Sequence, residues 1–312
     1  MAEAQWDFVI IGAGTAGLTA AQYGARSCLR TLVIESELCG GQALNIFELE
    51  NYPGIYPAVN GGDFIETMKK QAFDFGAKLE KRRLISIEKK NTMFHLKSDI
   101  DTITCYALLI ATGATHRHLG VPGEEEFVTR GVSYCATCDG PFFRKKRVVV
   151  VGGGDSACDE ANYLSSLTPM VTLIHRRDSL RAQKAVAERV LQNPNITVQF
   201  NTIVKEIRGD TKVTSILLQD TVTKEERIME TDGVFIFTGM DPQTQLVNTL
   251  PKDESGYIIT DEFMQTSIPG LYCAGDIRAK PFRQLITAAS DGAIAAHCAE
   301  KYIREVLNEA YK

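Results

Sequence analysis

The chain has no apolar stretch reaching the ~18 residues of a membrane-spanning helix, so nothing in its 312 residues is expected to cross a bilayer. Its opening, MAEAQWDFVIIG, runs straight into a strand-like segment and lacks the basic and apolar regions of a secretory signal, which points to the cytoplasm. An excess of basic residues is missing too: 39 Asp and Glu outnumber 34 Lys and Arg, the formal charge is −5 and no basic stripe stands out. A nucleic-acid partner is therefore not expected. There is no long polar low-complexity run, and 44% hydrophobic with 23% charged residues is the composition of a soluble globular protein rather than a disordered one. Trp6, His95, His116, His118 and His297 fall at no spacing that suggests ligands. Eight cysteines in a reducing compartment do not make a disulfide scaffold, so any close pair is expected to be redox-active or metal-binding.

At ~150 residues per domain, the length suggests about two domains. The first strong pattern is FVIIGAGTAGLTAAQYGARS: an apolar run from Phe8 to Ile11, the glycines Gly12, Gly14 and Gly17, then a small-residue helix. Strand, glycine turn and helix in that order is the context in which GxGxxG signals a dinucleotide. The next strand, RTLVIES, ends on Glu35, 23 positions after Gly12, where a carboxylate can accept hydrogen bonds from an adenosine ribose. The unit then recurs: RVVVVGGGDSACDEANYL supplies strand, turn (Gly152, Gly154, Ala157) and helix, and VTLIHRRD places His175 23 positions after Gly152. Both copies close on an apolar strand and Thr-Gly, at Thr112-Gly113 and Thr238-Gly239. The repeat implies two successive nucleotide folds.

About 70 residues follow the second copy, too few for a third βαβ domain. IPGLYCAGDI reads as a buried strand ending at Asp276, and RQLITAASDGAIAAHCAEKYIREVL as a long helix; both are assigned back to the first domain. The expected fold is α/β, with two Rossmann-like, three-layer nucleotide-binding domains, the second inserted into the first. The discontinuous domain spans 1–115 and 246–312, and the inserted one 116–245. The crossings THRHLGVPG and GMDPQTQ carry Gly and Pro and read as connectors able to act as a hinge.

The two sites are expected to hold different nucleotides. At the second, His175 is followed by Arg176 and Arg177, with Arg181 a turn later, and guanidiniums bind a 2′-phosphate that a carboxylate would repel. NADPH is therefore expected there; the competing reading is that HRRDSLR is a solvated, basic helix start. A second dinucleotide able to take the hydride is most economically a flavin in the Glu35 domain. Cys135-Ala-Thr-Cys138 places two cysteines three apart at a helix start, facing the same way and close enough to bridge, where the helix dipole lowers a thiol pKa. Asp139 follows and could move the proton that thiolate or flavin chemistry requires. Zinc is the competing reading of CxxC, but a closed site wants four ligands and the chain has no second CxxC and no HxxxH.

These motifs together resemble the low-molecular-weight, bacterial-type thioredoxin reductases, over nearly the whole chain. The resemblance rests on GAGTAGLTAA (12–21), GGQ (40–42), ENYPG (50–54), ATGA (111–114), CATCDG (135–140), GGGDSA (152–157), HRRDSLR (175–181), AGDI (274–277) and RQLITAA (283–289). It implies FAD contacts from Asp276, Arg283, Gln284, Gln42 and Asn51. With the glycine-turn residues, the candidate FAD set is Gly12, Gly14, Thr15, Ala16, Gly17, Glu35, Gly40, Gly41, Gln42, Asn51, Ala111, Thr112, Gly113, Gly275, Asp276, Arg283, Gln284 and Leu285. The candidate NADPH set is Gly152, Gly154, Asp155, Ser156, Ala157, His175, Arg176, Arg177 and Arg181, and Cys135, Cys138 and Asp139 are the candidate catalytic residues. Thr15 stands where that family usually has proline, and Leu285 where alanine or valine is common. A homodimer and a thioredoxin partner are implied by the resemblance alone.

The implied reaction passes a hydride from NADPH to the flavin and on to a Cys135–Cys138 disulfide, whose dithiol reduces a small protein. Because CxxC lies 14 residues before Gly152, disulfide and nicotinamide share the inserted domain and both must reach one flavin, which calls for rotation about the connectors. Related alternatives are a small-dithiol oxidase, a peroxidase-linked form, disfavoured without an N-terminal thioredoxin-like extension, and a ferredoxin-fed form, disfavoured by the intact HRR cluster. A redox sensor that does not turn over is the alternative from another class. Cys28, Cys158 and Cys298 read as helical and Cys105 and Cys273 as strand residues, all small core positions, and Cys39 as incidental. Arg144 to Arg147 reads as a solvated basic loop, and Arg117 as a possible nucleotide contact at the hinge.

Overall fold

Burial along Trp6–Ile11 (β1) alternates between two cores: Phe8 and Ile10 pack with one apolar cluster, Val9 and Ile11 with another. A strand covered on both faces needs a layer on each side of its sheet. The computed structural model describes residues 4–46 and 49–307, and of Cys138 only the backbone. By internal contacts the chain divides into two units, one formed by the residues up to Thr115 with those from Pro242 onward, the other by His116–Asp241. The return boundary falls four residues before the 245/246 expected from the sequence.

In the first unit β1 is followed by Thr15–Arg26 (α1), Thr31–Glu35 (β2), Gly61–Asp74 (α2), Lys78–Lys81 (β3), Leu84–Lys90 (β4), Met93–Ser98 (β5) and Thr102–Ile110 (β6). The strand Ala114–His116 (β7) leads out. The second unit contains Val132–Ser133 (β8), Ala136–Asp139 (α3), Val148–Gly152 (β9), Asp155–Leu167 (α4), Val171–Ile174 (β10), Lys184–Gln192 (α5) and Ile196–Gln199 (β11). It continues through Thr202–Gly209 (β12), Val213–Asp220 (β13), Glu226–Glu230 (β14) and Gly233–Phe237 (β15). Met240–Pro242 (β16) leads back to Leu271–Cys273 (β17) and Leu285–Val306 (α6). None of the described helices is long and apolar enough to cross a membrane.

The first sheet runs β3-β2-β1-β6-β5-β4. Its β3, β2, β1 and β6 are parallel, while β5 and β4 form an antiparallel hairpin on the first half of β6. The second half of β6 pairs with β17. The second unit repeats the order with β11-β10-β9-β15-β8, all parallel, and adds an antiparallel meander β12-β13-β14. Registers align the strand ends: Ile11 lies opposite Ile34 and Ile110, and Val151 opposite Ile174 and Ile236. The loops after β1, β2 and β6, and after β9, β10 and β15, therefore emerge on one edge of their own sheet, where open α/β sheets bind ligands.

Several expectations need correction. The strand before Asp276 is only three residues long and ends at Cys273. Helix α1 stops at Arg26, and Cys28 lies beyond it at φ 62 and exposed, so it is not a core residue. Cys298 is on α6 but only half-buried, whereas Cys105, Cys158 and Cys273 are buried. The segment after β10 is irregular until α5 begins at Lys184, so HRRDSLR is not a helix start. The β4–β5 hairpin and the β12–β14 meander had no signature in the motifs.

Helices α1 and α6 touch closely because both carry small residues at the crossing. A Cβ at Gly292 would fall inside contact distance of the Ala16 carbonyl oxygen. Gly292→Ala should force the helices apart and lower stability by about 1–3 kcal/mol, seen as a drop in thermal midpoint. Ser290→Ala, on the exposed face of the same helix, should produce no drop.

Candidate functional site

The first candidate site begins where β1 ends. Gly12 has φ 104, and a Cβ there would meet the Ala111 backbone after β6, its carbonyl carbon at 2.7 Å. A Cβ at Gly17 would overlap the Gly12 carbonyl oxygen. These two glycines allow the chain to pack on itself. Gly14 differs: its nearest neighbour would be the Gly40 carbonyl oxygen at 3.9 Å, so its approach is clear. It is also the N-cap of α1 and supplies no side-chain cap, which leaves the first helical N–H groups available to an anion. Glu35, at the end of β2, accepts the Ala13 N–H at 2.9 Å through Oε2 and the Ser36 and Glu37 N–H groups at 2.8 and 3.0 Å through Oε1. The carboxylate thus braces the glycine turn from the end of β2.

Other predicted residues gather on this turn. The Gly40 N–H donates to Ala13 O at 2.9 Å, and a Cβ on Gly41 would lie 3.8 Å from Gly14 Cα. Across the helix start, a Cβ on Gly275 would lie 2.9 Å from Ala16 Cβ, which brings Asp276 to the same end of α1. Gln284 caps α6 in a reciprocal capping box with Thr287, and Asn51 Nδ2 donates to Gln284 Oε1 at 3.1 Å. Leu285 starts α6 half-buried against the core. Gln42 Nε2 donates to Ala114 O at 3.3 Å, Thr112 Oγ1 to Gln243 O at 2.7 Å, and the Arg283 guanidinium stacks 3.7 Å from the Tyr257 ring. Two buried polar atoms here, Thr15 Oγ1 and Arg283 Nε, lack a hydrogen-bond partner, and buried Asp276 Oδ1 is met only by the Lys280 ammonium at 3.2 Å. Buried polar groups are normally satisfied, so donors and acceptors left open beside an uncapped helix fit a polyhydroxylated, phosphate-bearing ligand.

In the second unit a cavity of about 990 Å³ opens at the ends of β9, β10 and β15. Gly152 to Ala157, His175, Arg176 and Arg181 line it, whereas Arg177 does not. Gly154 repeats the property of Gly14: nothing lies within 4 Å of where its Cβ would be, and it caps α4 without a side-chain bond. Gly153 is filled instead by His175, whose ring packs flat on it. His175 is buried with Nε2 unpartnered, and burial, helped by Arg177 and Arg176, pushes its pKa down. Asp155 accepts the Gln183 N–H at 2.6 Å and Nε2 at 2.9 Å, and the Arg181 N–H reaches Gly153 O at 2.6 Å, so the basic segment is laced to the glycine turn. Motif reading missed His116, His118 and Lys205, which line the same cavity. Burial, and then His118, pushes the His116 pKa down, and its buried Nε2 has no hydrogen-bond partner.

The cysteine pair lies on the turn after β8. Cys135 is half-buried and disulfide-bonded; its Sγ is 3.2 Å from Thr137 Oγ1, and its N–H donates to Ser133 Oγ at 3.0 Å. The Cys138 side chain lies outside the described residues. Helix α3 is one turn long and passes directly into a 3₁₀ turn, Gly140–Phe143, so the expected dipole effect on a thiol is small. Cys28, Cys39, Cys105, Cys158, Cys273 and Cys298 are free. Tyr134, next to Cys135, donates to Glu124 Oε1 at 2.7 Å and lies 2.8 Å from His118 Nδ1. Glu124, 2% exposed, also accepts the Leu119 and Gly120 N–H groups at 2.8 and 2.7 Å. One buried carboxylate thereby holds both a wall of the cavity and the residue preceding the disulfide. Gly140 packs on Tyr163, Leu164 and Leu167 of α4, and Glu160 lies a turn earlier on that face, with Oε2 buried and unpartnered. Arg147, in the basic loop, pairs with Glu230 and Asp232.

The chain matches the model of the pyridine nucleotide-disulphide oxidoreductase family over residues 6–293. It is 56% identical over 306 residues to a thioredoxin reductase of Treponema pallidum, covering 98% of this chain and 100% of that one. Among solved structures it is similar to Lactococcus lactis thioredoxin reductase in its FR conformation (TM-score 0.94, 42% identity, 96% and 100% of the two chains). It is also similar to T. acidophilum thioredoxin reductase (TM-score 0.91, 37% identity, 97% and 100%).

Burial, and secondarily Asp159, raises the Glu160 carboxyl from its ordinary 4.5 to about 8. Folding therefore takes up a proton between those values, and stability falls as pH rises through that window. Glu160→Gln should unfold like the parent at pH 4 and be more stable by about 2–5 kcal/mol at pH 9, read from denaturant midpoints.

Proposed function

The chain belongs to the pyridine nucleotide-disulphide oxidoreductase family, and from that premise we propose that it is an NADPH-dependent flavoprotein that reduces the disulfide of thioredoxin. The observation that carries this reading is the placement of a disulfide-bonded Cys135 in the same unit as an arginine-lined nucleotide cavity, in a chain with a second nucleotide turn. The first unit is the FAD domain: Gly14 leaves room for the pyrophosphate at the start of α1, Glu35 faces the ribose, and Asp276, Arg283 and Gln284 supply the remaining polar contacts. The second unit is the NADPH domain. Arg176 and Arg181 take the 2′-phosphate, Gly154 and the start of α4 take the pyrophosphate, and Arg177 adds charge from outside the cavity. That arrangement favours a pyridine-nucleotide donor over ferredoxin.

FAD held by Gly14, Asp276, Arg283 and Gln284 would supply two-electron transfer between a nicotinamide and the disulfide, and the rest is done by the chain. Cys135 and Cys138 form the redox pair. One thiolate attacks the thioredoxin disulfide and forms a mixed disulfide; the other then attacks its partner cysteine, which restores the Cys135–Cys138 bond and releases thioredoxin as a dithiol. Asp139, the last residue of α3, gives and takes the proton that this exchange moves. Cavity and cysteines both belong to the second unit yet serve a flavin in the first, so the second unit rotates about β7 and β16 between half-reactions. The protein works in the cytoplasm as a homodimer and needs neither a membrane nor nucleic acid.

The test is to mix the purified yellow protein with NADPH, a disulfide dye and thioredoxin. Dye reduction should require thioredoxin and disappear in Cys138→Ser. Flavin reduction without any thiol product would contradict the assignment. Arg176→Ala combined with Arg181→Ala should raise KM for NADPH by about 10–100-fold and leave the slow rate with NADH unchanged.

A further inference from the structure

Behind the proposed flavin site lies a charged cluster that the reaction does not account for. Lys280 follows the Ala274–Ile277 turn, and its side chain is only 4% exposed. Its Nζ lies 3.2 Å from Asp276 Oδ1, 3.2 Å from Asp291 Oδ2 and 3.4 Å from Thr287 Oγ1. Asp291, on the buried face of α6, also pairs with Arg278 Nη1 at 3.2 Å and accepts the Gly275 N–H at 3.1 Å. Arg278 Nε in turn donates to Thr260 Oγ1 at 2.8 Å. Two cations thus meet two carboxylates, which is the arrangement that makes burying a lysine tolerable.

Asp291 and Thr287 would suffice to neutralise and hold the ammonium. The third contact is the informative one. Asp276 Oδ1 is buried against Lys280 without forming a hydrogen bond, yet the Asp276 side chain is 41% exposed, so its other oxygen faces outward. Lys280 also touches Thr287, which forms the capping box with Gln284. The ammonium therefore joins the Gly275–Asp276 turn to the start of α6, the two segments proposed to contact FAD.

We propose that Lys280, clamped by Asp291, is a positioning residue that orients the Asp276 carboxylate to accept a hydroxyl of the flavin nucleotide. The proposal rests on the reading of Asp276 as a flavin contact. A lysine between two rigid segments fixes the carboxylate before the cofactor arrives, so its loss acts on FAD affinity more than on folding.

The test measures FAD dissociation constants by flavin fluorescence after removal and re-addition of the cofactor to the full chain. Lys280→Met should weaken FAD binding by roughly tenfold, and Lys280→Arg should recover most of it. Binding of 2′,5′-ADP, which reports on the other unit, should be unchanged in both, as a check on folding. Adding Lys280→Met to Asp276→Ala should cost nothing further, because Lys280 acts through Asp276. An equal loss in both backgrounds would overturn the positioning role. If Asp276→Ala itself left FAD affinity unchanged while 2′,5′-ADP still bound, the flavin reading of Asp276 would fail, and the proposal with it.

Discussion

The structure depends on a backbone contact that tolerates no side chain: Gly17 sits against the carbonyl of Gly12, and Gly12 against the backbone at Ala111. These contacts draw the first helix onto the ends of β1 and β6, so its uncapped N–H groups point out from the edge of the sheet. Gly152, where a Cβ would lie 2.5 Å from both Ala157 Cβ and the Phe237 carbonyl oxygen, does the same for the second unit. In each unit one turn glycine, Gly14 or Gly154, is left with open space, and that is where a phosphate can approach the backbone. Fold and binding site thus share one local constraint.

That locality explains what could be read from the residues. Strand, turn and helix are set within about 20 residues, so both nucleotide units and the Glu35 and His175 positions are visible in spacing alone, while the return of α6 to the first domain follows from the length left after the second copy. Features that need distant partners are not visible in this way. His116 and His118 become cavity walls only because β7 pairs with β16, just past the end of β15, and nothing in THRH announces it. The meander from β12 to β14, which puts Lys205 at the cavity, is a run of unremarkable alternating residues. Cys28 lies outside the helix because the chain turns after Arg26, where Ser27 caps the helix and Cys28 takes a positive φ, and nothing in the helical pattern marks that turn.

Buried charge forms a second level of organisation. Glu124, Glu160, Asp291 and Lys280 belong to no recognised motif, yet each is placed where a motif must be held. Glu124 is satisfied by two N–H groups and a tyrosine hydroxyl, and it braces the loop before Cys135. Glu160 has its Oε2 buried without a partner on the helix face that carries the redox turn, so burial raises its pKa to about 8 and ionising it above that pH costs stability. Such residues read as surface charges in a helical or loop pattern; only packing shows them to be internal.

The central claim is that reducing equivalents from a pyridine nucleotide end on the cysteine pair of this chain. The most direct measurement is an anaerobic titration of the flavin-loaded protein with NADPH in the absence of thioredoxin, counting the thiols exposed after rapid denaturation. The account predicts about two new thiols for the first NADPH consumed, assigned to Cys135 and Cys138 by peptide mapping. Oxidation of NADPH with no gain in thiols, or a gain confined to other cysteines, would contradict it.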